Sequence, residues 1–207
     1  MILLVGLYIA CELIANITAG KPVRLGPLAV PAGVFIYALT FTLLDLINEQ
    51  LGRAGARRVI ATAFGANLLL AGYTQLTVSL PAPPFFDGQD AFARVLGATP
   101  RIVAASLLAY VAAALTDAEL FAWWRTRIGG PRWLRVLVSN ALSTGVDSVL
   151  FVTLAFAGTL PVVPLIGGQY AVKMAVTLMS LPLIYLIRSA TPGPGFGSAR
   201  PGFSVPA

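Results

Sequence analysis

A chain of 207 residues that is 57% hydrophobic and 11% charged departs from a soluble domain, in which about a quarter of residues carry charge. Its mean hydropathy of +0.84 and formal net charge of +6 fit a membrane protein with basic residues in short loops, not a nucleic-acid-binding surface. With no histidine and one cysteine, zinc sites built on those ligands are excluded, and the length leaves no room for a second folded domain beside a membrane bundle.

Six apolar runs, each near the ~20 residues that cross a bilayer, predict an all-α bundle of six transmembrane helices over residues 1–190. The expected spans are Met1 to Ala19, Pro27 to Ile47, Arg58 to Leu80, Arg101 to Trp123, Leu134 to Ala157 and Gly168 to Ile187. A barrel would need shorter, alternating strands. The first run does not read as a cleavable signal, because it lacks a basic leader and Glu12 interrupts its apolar stretch. Glu12 and Asn16 are four apart on one helical face, with Lys21 just beyond. A carboxylate at that depth is hard to explain as packing, whereas Cys11 reads as a small packing residue.

In the second span Asp45, Asn48 and Glu49 share a face, and Phe41 lies one turn earlier. A helix end meeting water would account for Asn48 and Glu49; Asp45 is deeper. The loop from Pro81 to Pro100 carries Phe85, Phe86 and Phe92 and is expected to fold back over the bundle. Asp117 lies near the end of the fourth span, ahead of Glu119 and an interfacial Trp123–Trp124 pair. A salt bridge to a loop arginine and a functional role fit it equally.

The fifth span carries the deepest polar stripe: Asn140, Ser143 or Thr144, Asp147, Ser148 and Phe151 at intervals of three to four. Helix–helix hydrogen bonding would explain Asn140 and Ser143. It does not explain Asp147, which at 1.5 Å per residue lies roughly 18 Å past Arg135. In the sixth span Lys173 either snorkels to the outer interface or turns inward to pair with Asp147 or Glu12. Gln169, one turn away on the same face, favours the inward reading. Pro182 should kink this helix, and residues 191–207 form a Gly-, Pro- and Ser-rich tail expected to be disordered.

A charge at the centre of a membrane helix costs roughly 2.5 to 3.5 kcal/mol, so Asp45, Asp117, Asp147 and Lys173 together demand a polar interior or mutual pairing. One set of loops holds Arg53, Arg57, Arg58, Arg125, Arg127, Arg132, Arg135 and Arg188; the other has only Lys21, Arg24 and Arg94, with Arg101 at a span edge and Asp87 and Asp90 close by. By the positive-inside rule both termini are cytoplasmic.

Several segments resemble one family. They are Ala15–Asn16–Ile17–Thr18–Ala19–Gly20–Lys21, the run from Thr40 through Asp45 to Glu49 with Gly52, and Arg101 to Ser106 leading to Asp117. Ser139–Asn140 through Asp147–Ser148–Val149–Leu150–Phe151 and the late Lys173 complete the set. Together they are similar to the queuosine precursor transporters, formerly grouped with vitamin uptake transporters, from about Gly6 to Ile187 in the family's order and spacing. Glu12 departs from the pattern, where an apolar residue is expected, and the tail lies outside it.

The resemblance implies a multi-pass inner-membrane importer of deazaguanine bases, with a six-helix fold similar to the substrate-binding subunits of energy-coupling-factor transporters. Carboxylates accept the paired N–H groups on one edge of a guanine-like base, a role open to Asp147 or Asp45. Asn140, Asn16 or Gln169 would read the opposite edge, and Phe41, Tyr37, Phe151 or Tyr170 would stack on its face. A cationic aminomethyl precursor would need a further carboxylate, a use for Glu12. The candidate substrate set is thus Glu12, Asn16, Phe41, Asp45, Asn48, Glu49, Asp117, Asn140, Ser143, Asp147, Gln169 and Lys173, with no cofactor, metal or nucleic acid. The chain has no P-loop, so any energising ATPase would be a separate subunit; a homo-oligomer stays open. Two other classes stay open as well: a vitamin-binding subunit of such a complex, and a Ser–Lys membrane hydrolase using Lys173 with Ser143 or Ser148. No glycine-rich nucleophile turn accompanies either serine.

Overall fold

The computed structural model describes the backbone of residues 1–127 and 132–190, with side chains apart from those at 45, 118, 121–122, 124–127, 132–137 and 180–190. The tail from Thr191 and the side chains of Asp45 and Pro182 therefore lie outside the described residues. The elements run α1 (Ile2–Thr18), β1 (Pro22–Leu25), β2 (Leu28–Pro31), α2 (Gly33–Ser79), α3 (Gln89–Leu96), α4 (Thr99–Arg127), α5 (Arg132–Phe156) and α6 (Val162–Ala190). This is an all-α membrane architecture with one small hairpin. The segments Leu46–Ser79, Gln89–Asp117, Val138–Phe156 and Val162–Met179 are long and apolar enough to cross a bilayer; Ile2–Thr18 and Gly33–Leu44 are shorter apolar helices.

The outer surface is apolar, with Leu68, Leu69, Tyr73, Leu108, Leu115 and Val163 all at least 60% exposed. Aliphatic surface on that scale faces lipid. The buried interior correspondingly holds polar groups: Asn16, Thr40, Asn67, Ser139, Ser148, Gln169 and Lys173.

α2 is two helical arms, 33–51 and 53–79, broken at Gly52 with φ 67° and ψ 177°. Ala15 abuts Gly33, while the neighbouring Asn16 hydrogen-bonds Asn67. In a straight helix those two α2 positions would be about 51 Å apart, so the chain must reverse between them. The reversal lays Ile47 in one cluster with Ala56, Val59 and Ala63, against Tyr8 of α1. A second cluster joins Ala19, Ile102, Ala105, Val152, Ala155, Phe156 and Leu165, tying the end of α1 to α4, α5 and the start of α6.

Two expected boundaries move. The second span does not begin at Pro27, because residues 22–31 form an antiparallel hairpin with Pro22 opposite Pro31. Gly26, at φ 60°, supplies the first residue of its two-residue turn, with Pro27 as the second. Three prolines within ten residues withhold the amide donors a helix would need. The last helix begins at Val162, not Gly168, with Pro164 in its first turn, where a missing N–H costs nothing. The Pro81–Pro100 loop does turn back: α3 follows within it, and Gln89 donates to the Val78 carbonyl at 3.0 Å near the end of α2. Arg101 closes the same end of the molecule, its Nε and Nη2 each donating at 2.7 Å to the Leu154 and Ala157 carbonyls at the end of α5.

Candidate functional site

The hairpin is wedged between the end of α1 and the start of α6 by two glycines. A Cβ on Gly168 would collide with the Ala29 carbonyl, and one on Gly33 with the Ala15 carbonyl. Backbone obstacles cannot step aside as a flexible side chain would. These close approaches frame a small, partly open cavity. α1 lines it with Ala15, Asn16 and Ala19, β2 with Pro31, and α2 with Gly33, Val34 and Tyr37. Ser106 of α4, Asp147 and Phe151 of α5, and Gln169 and Lys173 of α6 complete the wall.

Lys173 and Asp147 form an ion pair across this wall, with 8% and 14% of their side-chain surface exposed. Of the two partners considered for Lys173, the structure supplies Asp147. The ammonium also lies 4.7 Å from the centre of the Tyr37 ring. Burying two charges is costly, and removing either partner strands the other, so the pair holds α5 and α6 together only as a pair. It leaves one Asp147 oxygen, Oδ1, without a hydrogen bond among the described residues.

Asn16 donates its amide to Asn67 Oδ1 at 2.7 Å, and Asn67 in turn donates to the Ala63 carbonyl at 3.0 Å. With its NH₂ so engaged, Asn16 presents a carbonyl oxygen to the cavity. Gln169 is 2% exposed, yet its amide makes no hydrogen bond among the described residues. A buried amide with no protein partner on a cavity wall is a vacant donor and acceptor. Tyr37 and Phe151 add aromatic faces.

A second, smaller chamber shares the Tyr37 and Ser106 walls. Glu12 lies in it with Tyr8, Phe64 and Tyr110, the last two edge-to-face with centroids 5.4 Å apart. The Glu12 carboxylate is close enough to Lys173 and Asp147 to interact with both charges.

Of the residues singled out from sequence, Asn16, Asp147, Gln169 and Lys173 come together at the cavity, and Glu12 lies next door. Others are placed elsewhere. Phe41 is 42% exposed on the outer surface, edge-to-face with Tyr37; Asn48 and Glu49 are exposed near the Gly52 turn. Asp117 accepts a hydrogen bond from Ser139, joining α4 to α5 away from the cavity. Ser143 donates to the Asn140 backbone carbonyl at 3.3 Å, and neither residue reaches the cavity wall. Tyr170 lines an outer apolar groove with Leu142 and Val146. The hydrolase reading fares poorly in geometry, since the Lys173 ammonium bonds Asp147 and neither serine. Asn67, Ser106, Tyr8, Phe64 and Tyr110 were not singled out. A lone amide inside an apolar run was the signal for Asn67, and the i, i+4 spacing to Glu12 was the signal for Tyr8.

A sequence profile described as "Putative vitamin uptake transporter" matches residues 31–187. The chain is also similar to a Bacillus subtilis (strain 168) protein named "Probable queuosine precursor transporter", at 31% identity over 184 residues, 86% of this chain and 80% of that protein. No solved structure matches it.

Proposed function

The chain belongs to the vitamin uptake transporter family that this match defines, and on that premise we propose that it imports queuosine precursors, deazaguanine bases, for tRNA queuosine salvage. The observation that carries the substrate class is the cavity's chemistry. A free Asp147 oxygen accepts from the N–H edge of a guanine-like base, and Gln169 and the Asn16 oxygen meet its other polar atoms. Tyr37 or Phe151 covers a ring face, a contact worth about 1–3 kcal/mol per base. A cavity lined by apolar residues with a few convergent polar groups is the usual form of a small-molecule site.

In this reading α1, the two arms of α2, α4, α5 and α6 make six crossings of the inner membrane, with both termini cytoplasmic. The arginine-rich Gly52 turn and the α4–α5 connection then lie inside, and the hairpin end, where the cavity is, lies outside. Asp45, Asn48, Glu49, Asp117, Asn140, Ser143 and Phe41 would act in another state of the transport cycle or in packing. The protein works as a transporter and not as an enzyme, alone or with a separate energising subunit or a second copy.

The test is rescue of tRNA queuosine in a strain lacking both precursor synthesis and its own importer. Expression of this chain, shown to be inserted, should restore the modified nucleoside when precursor is supplied. An inserted protein that gives none overturns the substrate assignment.

A further inference from the structure

The cavity and its neighbour differ in charge. In the main cavity Lys173 neutralises Asp147, so that wall offers a base hydrogen bonds with no net charge. The adjoining chamber contains one ionisable acid, Glu12, and the described residues supply it with no ion-pair partner of its own. Aromatic rings make up much of the rest: Tyr8, Tyr37, Phe64 and Tyr110. A carboxylate ringed by π faces is an environment for a cation, since both elements attract positive charge most strongly where water is scarce. The two chambers share Tyr37 and Ser106 as walls, so they lie side by side.

We infer that the Glu12 chamber is a subsite for a protonated amine carried by the substrate, selecting an amine-bearing base over neutral analogues of the same shape. This rests on the importer reading above. The ring binds at Asn16, Asp147 and Gln169, and the ammonium group passes Tyr37 to reach Glu12. A neutral substituent of equal size would enter the same space without a charge-assisted bond to the carboxylate.

The experiment is competition uptake by the full-length protein in cells lacking their own importer, with aminomethyl-, hydroxymethyl- and cyano-deazaguanine as probes. The wild type should be half-inhibited by the aminomethyl base at a concentration at least about 10-fold below that for its neutral hydroxymethyl counterpart, the gain of a charge-assisted over a neutral hydrogen bond. Glu12→Gln should bring the two within about 2-fold, because losing one charge removes that gain. Equal inhibition of the wild type by the two overturns the inference, as does a Glu12→Gln protein that loses all three bases equally. The wild-type comparison decides even where the variant fails to insert. Uptake of none of the probes would instead overturn the importer reading; uptake of all without charge preference would leave that reading intact and remove the subsite.

Discussion

At the level of single residues, the Lys173–Asp147 pair makes the most asymmetric demand. Breaking a buried pair costs about 3–5 kcal/mol because the surviving charge is stranded. Lys173→Met leaves Asp147 and the nearby Glu12 as two carboxylates without a cation, whereas Asp147→Asn leaves an ammonium that still feels Glu12. Lys173→Met should therefore lower the melting temperature in detergent more than Asp147→Asn. The double substitution should recover most of the lost stability yet remain inactive in uptake, because an amide puts an N–H donor in place of one carboxylate oxygen and loses the charge that accepts from the base. Equal destabilisation by the two single changes would argue that Glu12 is too well screened to matter. Asn67 poses a different test, since it is buried and, among the described residues, its side chain hydrogen-bonds Asn16 and its own helix. Asn67→Leu frees the Asn16 amide to rotate and presents the cavity with a mixture of N–H and oxygen. The loss of one oriented hydrogen bond should weaken uptake about 10-fold with little change in expression. Unchanged uptake would separate Asn16 from ligand recognition.

The helices and the hairpin owe their arrangement to backbones that approach closely or turn sharply. Gly52 has φ 67° and ψ 177°, a region only glycine occupies readily, and other residues held there cost about 1–3 kcal/mol. Nothing else crowds the position, so Gly52→Ala should register that backbone term alone, as a lower melting temperature with uptake retained. Gly168→Ala is the opposite case, a helical conformation with no space, and should displace the hairpin from α6 and abolish uptake. Such contrasts also explain what the sequence could disclose. Spacing shows which residues share a helix face, so Glu12 with Asn16, and Gln169 with Lys173, were legible as pairs before their surroundings were known. It does not show what a face meets. Asp117 and Asp147 look alike in an apolar run, yet one meets Ser139 and the other meets Lys173 at the cavity. The hairpin was missed because an apolar stretch punctuated by Gly26 and Pro27 matches the hydropathy of a span start, and hydropathy is blind to the missing amide donors. Asn67 was passed over because a single amide among aliphatics has no periodic partner to mark it.

For the molecule as a whole, import requires the cavity to be reached from outside the cell, and the fold ties that requirement to the arginine distribution. The cavity lies where α1 ends, α4 begins, α5 ends and α6 begins, beside the hairpin. Arg53, Arg57 and Arg58 cluster at the Gly52 turn, which lies at the other end of α2's two arms. If the bilayer reads charge as usual, the hairpin end is external and the Gly52 turn internal. In a background with Cys11 replaced by alanine, Asp87→Cys in the loop before α3 should react with an impermeant maleimide on intact cells. Arg57→Cys should react only after permeabilisation. Both native side chains are exposed, so reach is set by the membrane and not by burial. The reverse pattern would put the cavity mouth in the cytoplasm. A ligand would then enter it from the wrong side for uptake, and the protein would have to be read as an exporter or as a sensor of internal precursor, whatever the cavity binds.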